Sequence, residues 1–389
     1  MAIAEQIKLL HGEMAEWRRD IHAHPETAFE EQRTSALVAK KLQSFGLNVH
    51  QGLGRTGVVG TLSAGSGKRA VGLRADMDAL HIHEKNGFDH RSQHEGKMHA
   101  CGHDGHTAML LGAAKYLSAT RNFDGTVHFI FQPAEENEGG GREMVEQGLF
   151  DKFPCDSVYG MHNWPGMPVG QFGLRPGPMM ASFDIFEIEL KGRGSHAALP
   201  HTGIDPVVAA SALVQALQSI ASRNVDPIES SVVSVTQIHA GDTWNVIPDA
   251  AVLRGTTRAF MPGVQDLIER RIREICNGID ATYGTHAKVR YERRYPPTVN
   301  AARETEICAS VLERMVGAEN VVRVPPVMGS EDFAFMLQAK AGCYVFVGNG
   351  PGAGGCMLHN PHYDFNDEIL PLGASYWANL VEHMLAARA

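Results

Sequence analysis

In residues 34–45, Leu37, Val38, Lys41, Leu42 and Phe45 share one stripe at helical spacing, and Gly46 follows as a left-handed stop, so a helix is predicted. Residues 57–63 and 68–75 are apolar, β-rich runs joined by AGSG, which predicts a hairpin ending at the polar pair Asp76 and Asp78. Asp104 can cap a helix running from Gly105 through HTAMLLGAAKYL, and residues 126–131 (TVHFIF) read as a buried strand. Helices alternating with strands predict an α/β fold, a sheet with helices on both faces.

The rhythm changes in the middle of the chain. Residues 183–191 read as a strand with Phe186, Ile188 and Leu190 on one face, Asp205 and Pro206 open a helix to about Ser222, and 231–239 and 251–260 read as strands. Pro262 starts a helix to about Tyr283, and 287–295 closes with a strand. The order βαββαβ is the ferredoxin-like plan, complete in itself. The expected organisation is therefore a discontinuous first domain (1–182 plus 296–389) interrupted by an inserted small domain (183–295). The Gly-rich stretches 139–141 and 348–355 read as turns.

Composition changes this picture little. The 389 residues, 43% hydrophobic and 20% charged, exclude a disordered or collagen-like chain and exceed what one core usually serves. A net charge of -9 argues against nucleic acid or anionic lipid as partner and leaves a small molecule. Six scattered cysteines without a CxxC pair read as free thiols in a reducing compartment. No run has the ~20 apolar residues of a membrane span, and the N-terminal segment lacks an uninterrupted apolar stretch, so a cytoplasmic location is expected.

The histidines are more informative. Seven of 20 (81, 83, 90, 94, 99, 103 and 106) crowd into 26 residues, a bias that points to metal. In HACGHDGH, Cys101 and His103 are two apart, so in an extended segment both would project to one side, just ahead of a helix. A structural zinc knuckle lacks its second pair, while a cysteine nucleophile and a solvated His-rich loop stay open. In FQPAEE a buried strand ends and Glu135 and Glu136 follow, where ligands of α/β sheets gather. One carboxylate can bind metal while its neighbour takes a proton from metal-bound water. His162 and His359 sit at similar chain positions, and with Cys101, His103 and Glu136 they make five candidate ligands, enough for two ions sharing one donor. His196 lies on a Gly-flanked loop before the helix at Asp205; a solvated loop histidine is the default there, and oxyanion stabilisation after domain closure is the functional alternative.

RRDIHAHPE (18–26), GLRADMDAL (72–80), MHACGHDGHTAMLLGAA (98–114), FQPAEE (131–136), GMHNWPG (160–166), GRGSHAALPH (192–201), NVIPD (245–249), MGSEDFAFM (328–336) and LHNPHYDFND (358–367) occur in the same order as in a known family. Together they resemble the M20 metallopeptidases, in particular the branch of hippurate hydrolases, N-acyl amino acid amidohydrolases and indoleacetyl amino acid hydrolases. The resemblance implies a catalytic α/β domain interrupted by a ferredoxin-like lid. It places Cys101, His103, Glu136, His162 and His359 on binuclear metal ligands, Glu135 on the general base, and His196 on the lid histidine that polarises the scissile carbonyl, from the partner subunit in dimeric relatives. Asn245 and Arg258 match substrate-contacting lid positions, and Asp76 an acid that orients a ligand. Arg74 stands where other branches carry a ligand histidine, and His81, Asn137 and Glu138 depart from the usual residues near the expected pocket.

The resulting expectation is a metal-dependent amidohydrolase that cleaves N-acyl amino acids to a carboxylic acid and an amino acid. It would use two divalent ions (Zn²⁺ or Mn²⁺, with Co²⁺ or Ni²⁺ as alternatives) and form a homodimer or higher homo-oligomer through the lid. The rivals are a metallodipeptidase on the same fold, a cysteine amidase, and a catalytically silent metal- or metabolite-binding protein.

Overall fold

A computed structural model describes residues 3–351 and 356–386. Residues 352–355 of the second Gly-rich stretch, read above as a turn, lie outside the described residues. The chain divides into two compact units: Met1–Met179, Val299–Pro325 and Asp332–Ala389 form the first, Met180–Thr298 and Pro326–Glu331 the second.

The elements of the first unit that position the site begin with helices α1 (His11–Ala23) and α2 (Gln32–Ser44). Strands β1 (Asn48–Leu53), β2 (Gly57–Ala64) and β3 (Ala70–Asp76) precede helix α3 (His103–Thr120), and strands β4 (Gly125–Gln132), β5 (Ser157–Trp164) and β6 (Phe172–Leu174) follow it. The second unit contributes β7 (Phe183–Lys191), β8 (Ser195–His196), α4 (Pro206–Ser219), β9 (Ser231–His239), β10 (Val246–Ile247), β11 (Ala250–Ala259), α5 (Pro262–Tyr283) and β12 (His286–Tyr295). The first unit resumes with α6 (Ala302–Val316), β13 (Val321–Arg323), β14 (Gly342–Gly348) and α7 (Leu370–Met384).

The sheet of the first unit has eight strands in the order β1-β2-β4-β3-β5-β14-β6-β13. It is mixed: β3 runs parallel to β4 and β5, and β5 to β14, whereas β1, β2 and β4 pair antiparallel. Consecutive residues of β4, β5 and β14 are buried, so side chains on both faces are covered and these strands read as continuous apolar runs. Because β3, β4, β5 and β14 are parallel, Asp76, Gln132 and Trp164 reach one sheet edge together.

The predicted hairpin does not form. β2 and β3 each pair with β4, which lies between them. The AGSG turn is instead fastened to the start of β4, where the Asp124 carboxylate accepts the backbone N–H groups of Ser66 and Gly67 at 2.7 and 2.5 Å. A short polar turn between apolar runs is compatible with either arrangement, and the more buried strand takes the central place.

In the second unit the elements run βαββαβ and the four-stranded sheet is ordered β9-β11-β7-β12, antiparallel throughout. Strict alternation of burial along β7 puts Phe186, Ile188 and Leu190 into a core with Leu213 and Leu217 of α4 and Ile268 and Ile272 of α5. Asp205 caps α4 as expected, accepting the Val207 N–H at 2.8 Å. Among the described residues no helix is long and apolar enough to cross a membrane.

Candidate metal centre

The site forms where parallel strands of the first unit end. β3 delivers Asp76 and, two residues on, Asp78; both are buried. β4 ends in Gln132, and a tight turn with Ala134 in the left-handed region (φ 52°) follows and presents Glu135 and Glu136. His162 sits on β5, and His359 lies in the stretch between β14 and α7.

Cys101 and His103 meet by a different route from the extended segment expected. Gly102 occupies the left-handed region (φ 101°), and the helix begins at His103 itself. A β-carbon at Gly102 would stand 2.2 Å from Asn163 Oδ1, so glycine is required there for both its dihedral and its lack of a side chain. Asp104 consequently falls inside the helix rather than at its cap, buried and bonded through Oδ2 to His22 Nδ1 at 2.8 Å.

Among the groups of donor atoms within 4.8 Å of one another in the described residues, three join the expected site residues: Cys101, His103 and His162; Cys101, Glu136 and His359; and His103, Glu135 and Glu136; another joins Asp76, His103 and His106. Cys101 Sγ lies 3.3 Å from His162 Nε2, and His359 Nε2 lies 3.1 Å from Glu136 Oε1. All five candidate ligands and Glu135 are therefore adjacent. His196, Asn245 and Arg258 belong to the second unit. There the Asn245 carbonyl accepts the Ala197 N–H at 2.9 Å, beside the register pair Val246–His196, and His196 is exposed. Arg258 is half-buried over the Phe183 ring and donates to Ser330 Oγ at 2.9 Å.

Whether these donors suit a cation is decided by their remaining hydrogen bonds. His103 Nδ1 lies 2.9 Å from the Asp78 carbonyl and 3.1 Å from Asp78 Oδ1, while its Nε2 is buried without a hydrogen-bond partner. An imidazole oriented by a carboxylate through one nitrogen, with the other bare, is the arrangement of a metal ligand. His106 is the contrast: its Nδ1 meets Asp76 Oδ1 at 2.6 Å and its Nε2 meets Asn163 Oδ1 at 2.8 Å, so both nitrogens are committed. A thiol, three imidazoles and carboxylates are donors that zinc-like divalent ions accept.

The electrostatics agree. Burial pushes the Cys101 thiol well up, and Glu136, Glu135 and Asp76 push it further. Burial opposes a charge on His103, yet Asp76 and Asp78 lift its ring to about 10. Burial likewise opposes the Glu136 carboxylate, but the adjacent His359 ring holds it below its ordinary range. Burial drives His162 well below its usual value, leaving a neutral ring. Protons thus sit on Cys101 and His103, where a cation would displace them.

Several supporting residues escape the sequence reading. Asp76 was expected to orient a ligand; its close partners are His106 and Arg74, and it stands 3.7 Å from His103 Nε2. Asp78 holds the candidate ligand His103 through Nδ1, and its Oδ2 also accepts the Glu136 N–H at 2.9 Å. Arg74 is no ligand: its guanidinium is buried between Gln132 Oε1 at 2.8 Å, Asp76 Oδ2 at 2.7 Å and Asp332 Oδ1 at 3.1 Å. Asp332 in turn offers its N–H to Glu135 Oε1 at 3.4 Å. Only the DMD spacing at the end of β3 hinted at Asp78, and nothing local linked Arg74 to Asp332. Asn137 is exposed and left-handed (φ 70°), a conformation asparagine tolerates better than most residues.

Residues 72–383 match the profile of Peptidase family M20/M25/M40. The chain belongs to this family. It is 44% identical to a hippurate hydrolase of Campylobacter jejuni over 98% of both chains, and 40% identical to the Arabidopsis thaliana IAA-amino acid hydrolase ILR1-like 4, covering 95% of this chain and 84% of that one. Among solved structures it resembles the Bacillus subtilis YXEP protein, described as a dinuclear metal binding peptidase from the M20 family, with 33% identity and a TM-score of 0.85 over 97% of this chain and 99% of that one. As a family member with these relatives the chain is a hydrolase acting on amides, with a mixed α/β fold.

Proposed function

We propose that this M20 member is a metal-dependent amidohydrolase that cleaves N-acyl amino acids of the hippurate type, releasing a carboxylic acid and an amino acid. The observation that carries the reading is the contiguity of Glu135 with five donors, Cys101, His103, Glu136, His162 and His359, one of whose nitrogens is buried and bare. The hippurate hydrolase and IAA-amino acid hydrolase relatives point to the same substrate class.

Two divalent ions, zinc or manganese with cobalt or nickel as alternatives, supply Lewis acidity and a lowered water pKa when bound by the five donors. Glu135 takes the proton of the attacking water and passes it to the leaving nitrogen, the amide carbonyl becoming tetrahedral and then collapsing with C–N cleavage. His196 donates a hydrogen bond to the developing oxyanion. Asn245 and Arg258 hold the amino acid portion, Arg258 supplying a guanidinium. In this reading the βαββαβ unit serves as an inserted lid and as the homodimer surface, the metal-binding domain is discontinuous, and the enzyme works in the cytoplasm.

The test is hydrolysis of hippurate beside N-acetyl amino acids and free dipeptides, on chelated protein before and after addition of Mn²⁺, Zn²⁺ or Co²⁺. Metal-restored cleavage of the acyl amino acids with dipeptides spared is expected. Cleavage that survives chelation, or that requires a free α-amine, overturns the proposal.

A further inference from the structure

His359 is held unlike the other proposed ligands. The His103 ring is fixed by Asp78, the His162 ring by the Asn163 carbonyl at 2.6 Å, and the Glu136 backbone by Asp78. Among the described residues, the His359 ring meets only Glu136, itself a proposed ligand. Its backbone is left-handed (φ 61°) and its side chain is 52% exposed. Its placement therefore depends on the strap of residues 356–367 that carries it.

That strap is clamped from helix α1. Arg18, 1% exposed, donates from Nε to Asp367 Oδ1 at 2.7 Å, from Nη1 to Asp364 Oδ1 at 2.9 Å and from Nη2 to the Phe365 carbonyl at 3.4 Å. The same guanidinium stands 3.6 Å from Asp104 in the first turn of α3, next to His103. One planar fork thus ties the strap to the segment bearing Cys101 and His103, and charge-assisted bonds of this kind fix geometry as well as supply energy. At the other end of the strap the His359 N–H reaches the Ala100 carbonyl at 2.7 Å, so the loop between is closed at both ends onto one turn.

We propose that Arg18 is a positioning residue for the cation held by His359: through Asp364 and Asp367 it sets the strap so that His359 reaches the Cys101–Glu136 pair, without touching a ligand itself. The inference rests on the ligand set proposed above. Its consequence is selective. The His103 and His162 rings are oriented by Asp78 and the Asn163 carbonyl rather than by the strap, so loss of the clamp weakens the ion held by His359 far more than the other.

The experiment is calorimetric titration of metal-free protein with Mn²⁺ alone, in a competing chelator, for wild type, Arg18→Lys, Asp367→Asn and His359→Ala. Arg18→Lys keeps the buried charge but loses the fork; Asp367→Asn removes the charge from the strap-end contact and leaves Asp104 and Asp364 beside Arg18. Both are expected to weaken one of two binding steps by about 10-fold or more, the scale seen when groups behind metal ligands are lost, with the other step within about 2-fold. His359→Ala should abolish the same step. Equal weakening of both steps with a lowered melting temperature would mean general loosening and overturn the proposal, as would unchanged steps in both clamp variants. If His359→Ala leaves both steps intact, the ligand set falls and this inference with it; if it removes a step that the clamp variants keep, only the inference falls.

Discussion

The Asp78 carboxylate spans two proposed ligands: Oδ1 lies 3.1 Å from His103 Nδ1, and Oδ2 accepts the Glu136 N–H at 2.9 Å. Both contacts require an acceptor. An amide has only one acceptor atom, so Asp78→Asn can satisfy His103 or Glu136 but not both. Metal affinity, measured by chelator competition, should fall about 10- to 100-fold in this variant. Wild-type affinity would show that His103 is oriented by its contact with the Asp78 carbonyl alone.

Glu135→Gln keeps the shape of the side chain and removes its basicity. Turnover of an acyl amino acid should drop by about 10²- to 10⁴-fold while two ions remain bound, read by steady-state kinetics beside metal analysis. Near wild-type turnover with full metal content would exclude Glu135 as the base.

Gly102→Ala meets two obstacles at once, a left-handed backbone (φ 101°) and a β-carbon placed 2.2 Å from Asn163 Oδ1 and 2.8 Å from Tyr363 Oη. The strain and the overpacking each cost on the order of 1–3 kcal/mol. The denaturation midpoint of the metal-free protein should fall accordingly. An unchanged midpoint would mean that the 99–103 turn is free to move.

His22 supplies a pH test away from the ligands. Burial opposes its charge, but hydrogen bonds to Asp104 and Glu84 raise the ring from 6.5 to about 9. A raised folded-state value contributes stability that is complete below about 6.5 and is lost as pH rises through about 9. The stability gap between wild type and His22→Gln should therefore be widest near pH 6, by a few kcal/mol at most, and shrink toward pH 9.5. Denaturant titrations across that range check it, and a gap that widens with pH would contradict the assignment.

Much of the candidate site was legible because side chains able to bind metal or take a proton are chemically distinctive wherever they stand. Cys101, His103, Glu136, His162 and His359 could be picked out by residue type and by their places at element ends, and Glu135 by its neighbour. The supporting residues were not legible in the same way. Asp76 and Asp78 are the same residue type two positions apart on one strand, and which carboxylate reaches His103 depends on how the backbone turns after β3. Arg74, read as the replacement of a ligand, became the counter-charge of Asp332, a residue 258 positions away.

By itself the sequence determined the elements whose signals are local: the stripe of 34–45, the Asp205 cap, the alternation along 183–191 and the βαββαβ order. Tertiary structure alone decided who pairs with whom. β4 separated β2 from β3, Gly102 turned Cys101 and His103 together, and Arg18 joined α1 to a strap nearly 350 residues away. Periodicity and capping are set within a turn or a strand, whereas strand order and buried ion pairs are chosen by competition among all segments for the same core. No short window of sequence contains that competition.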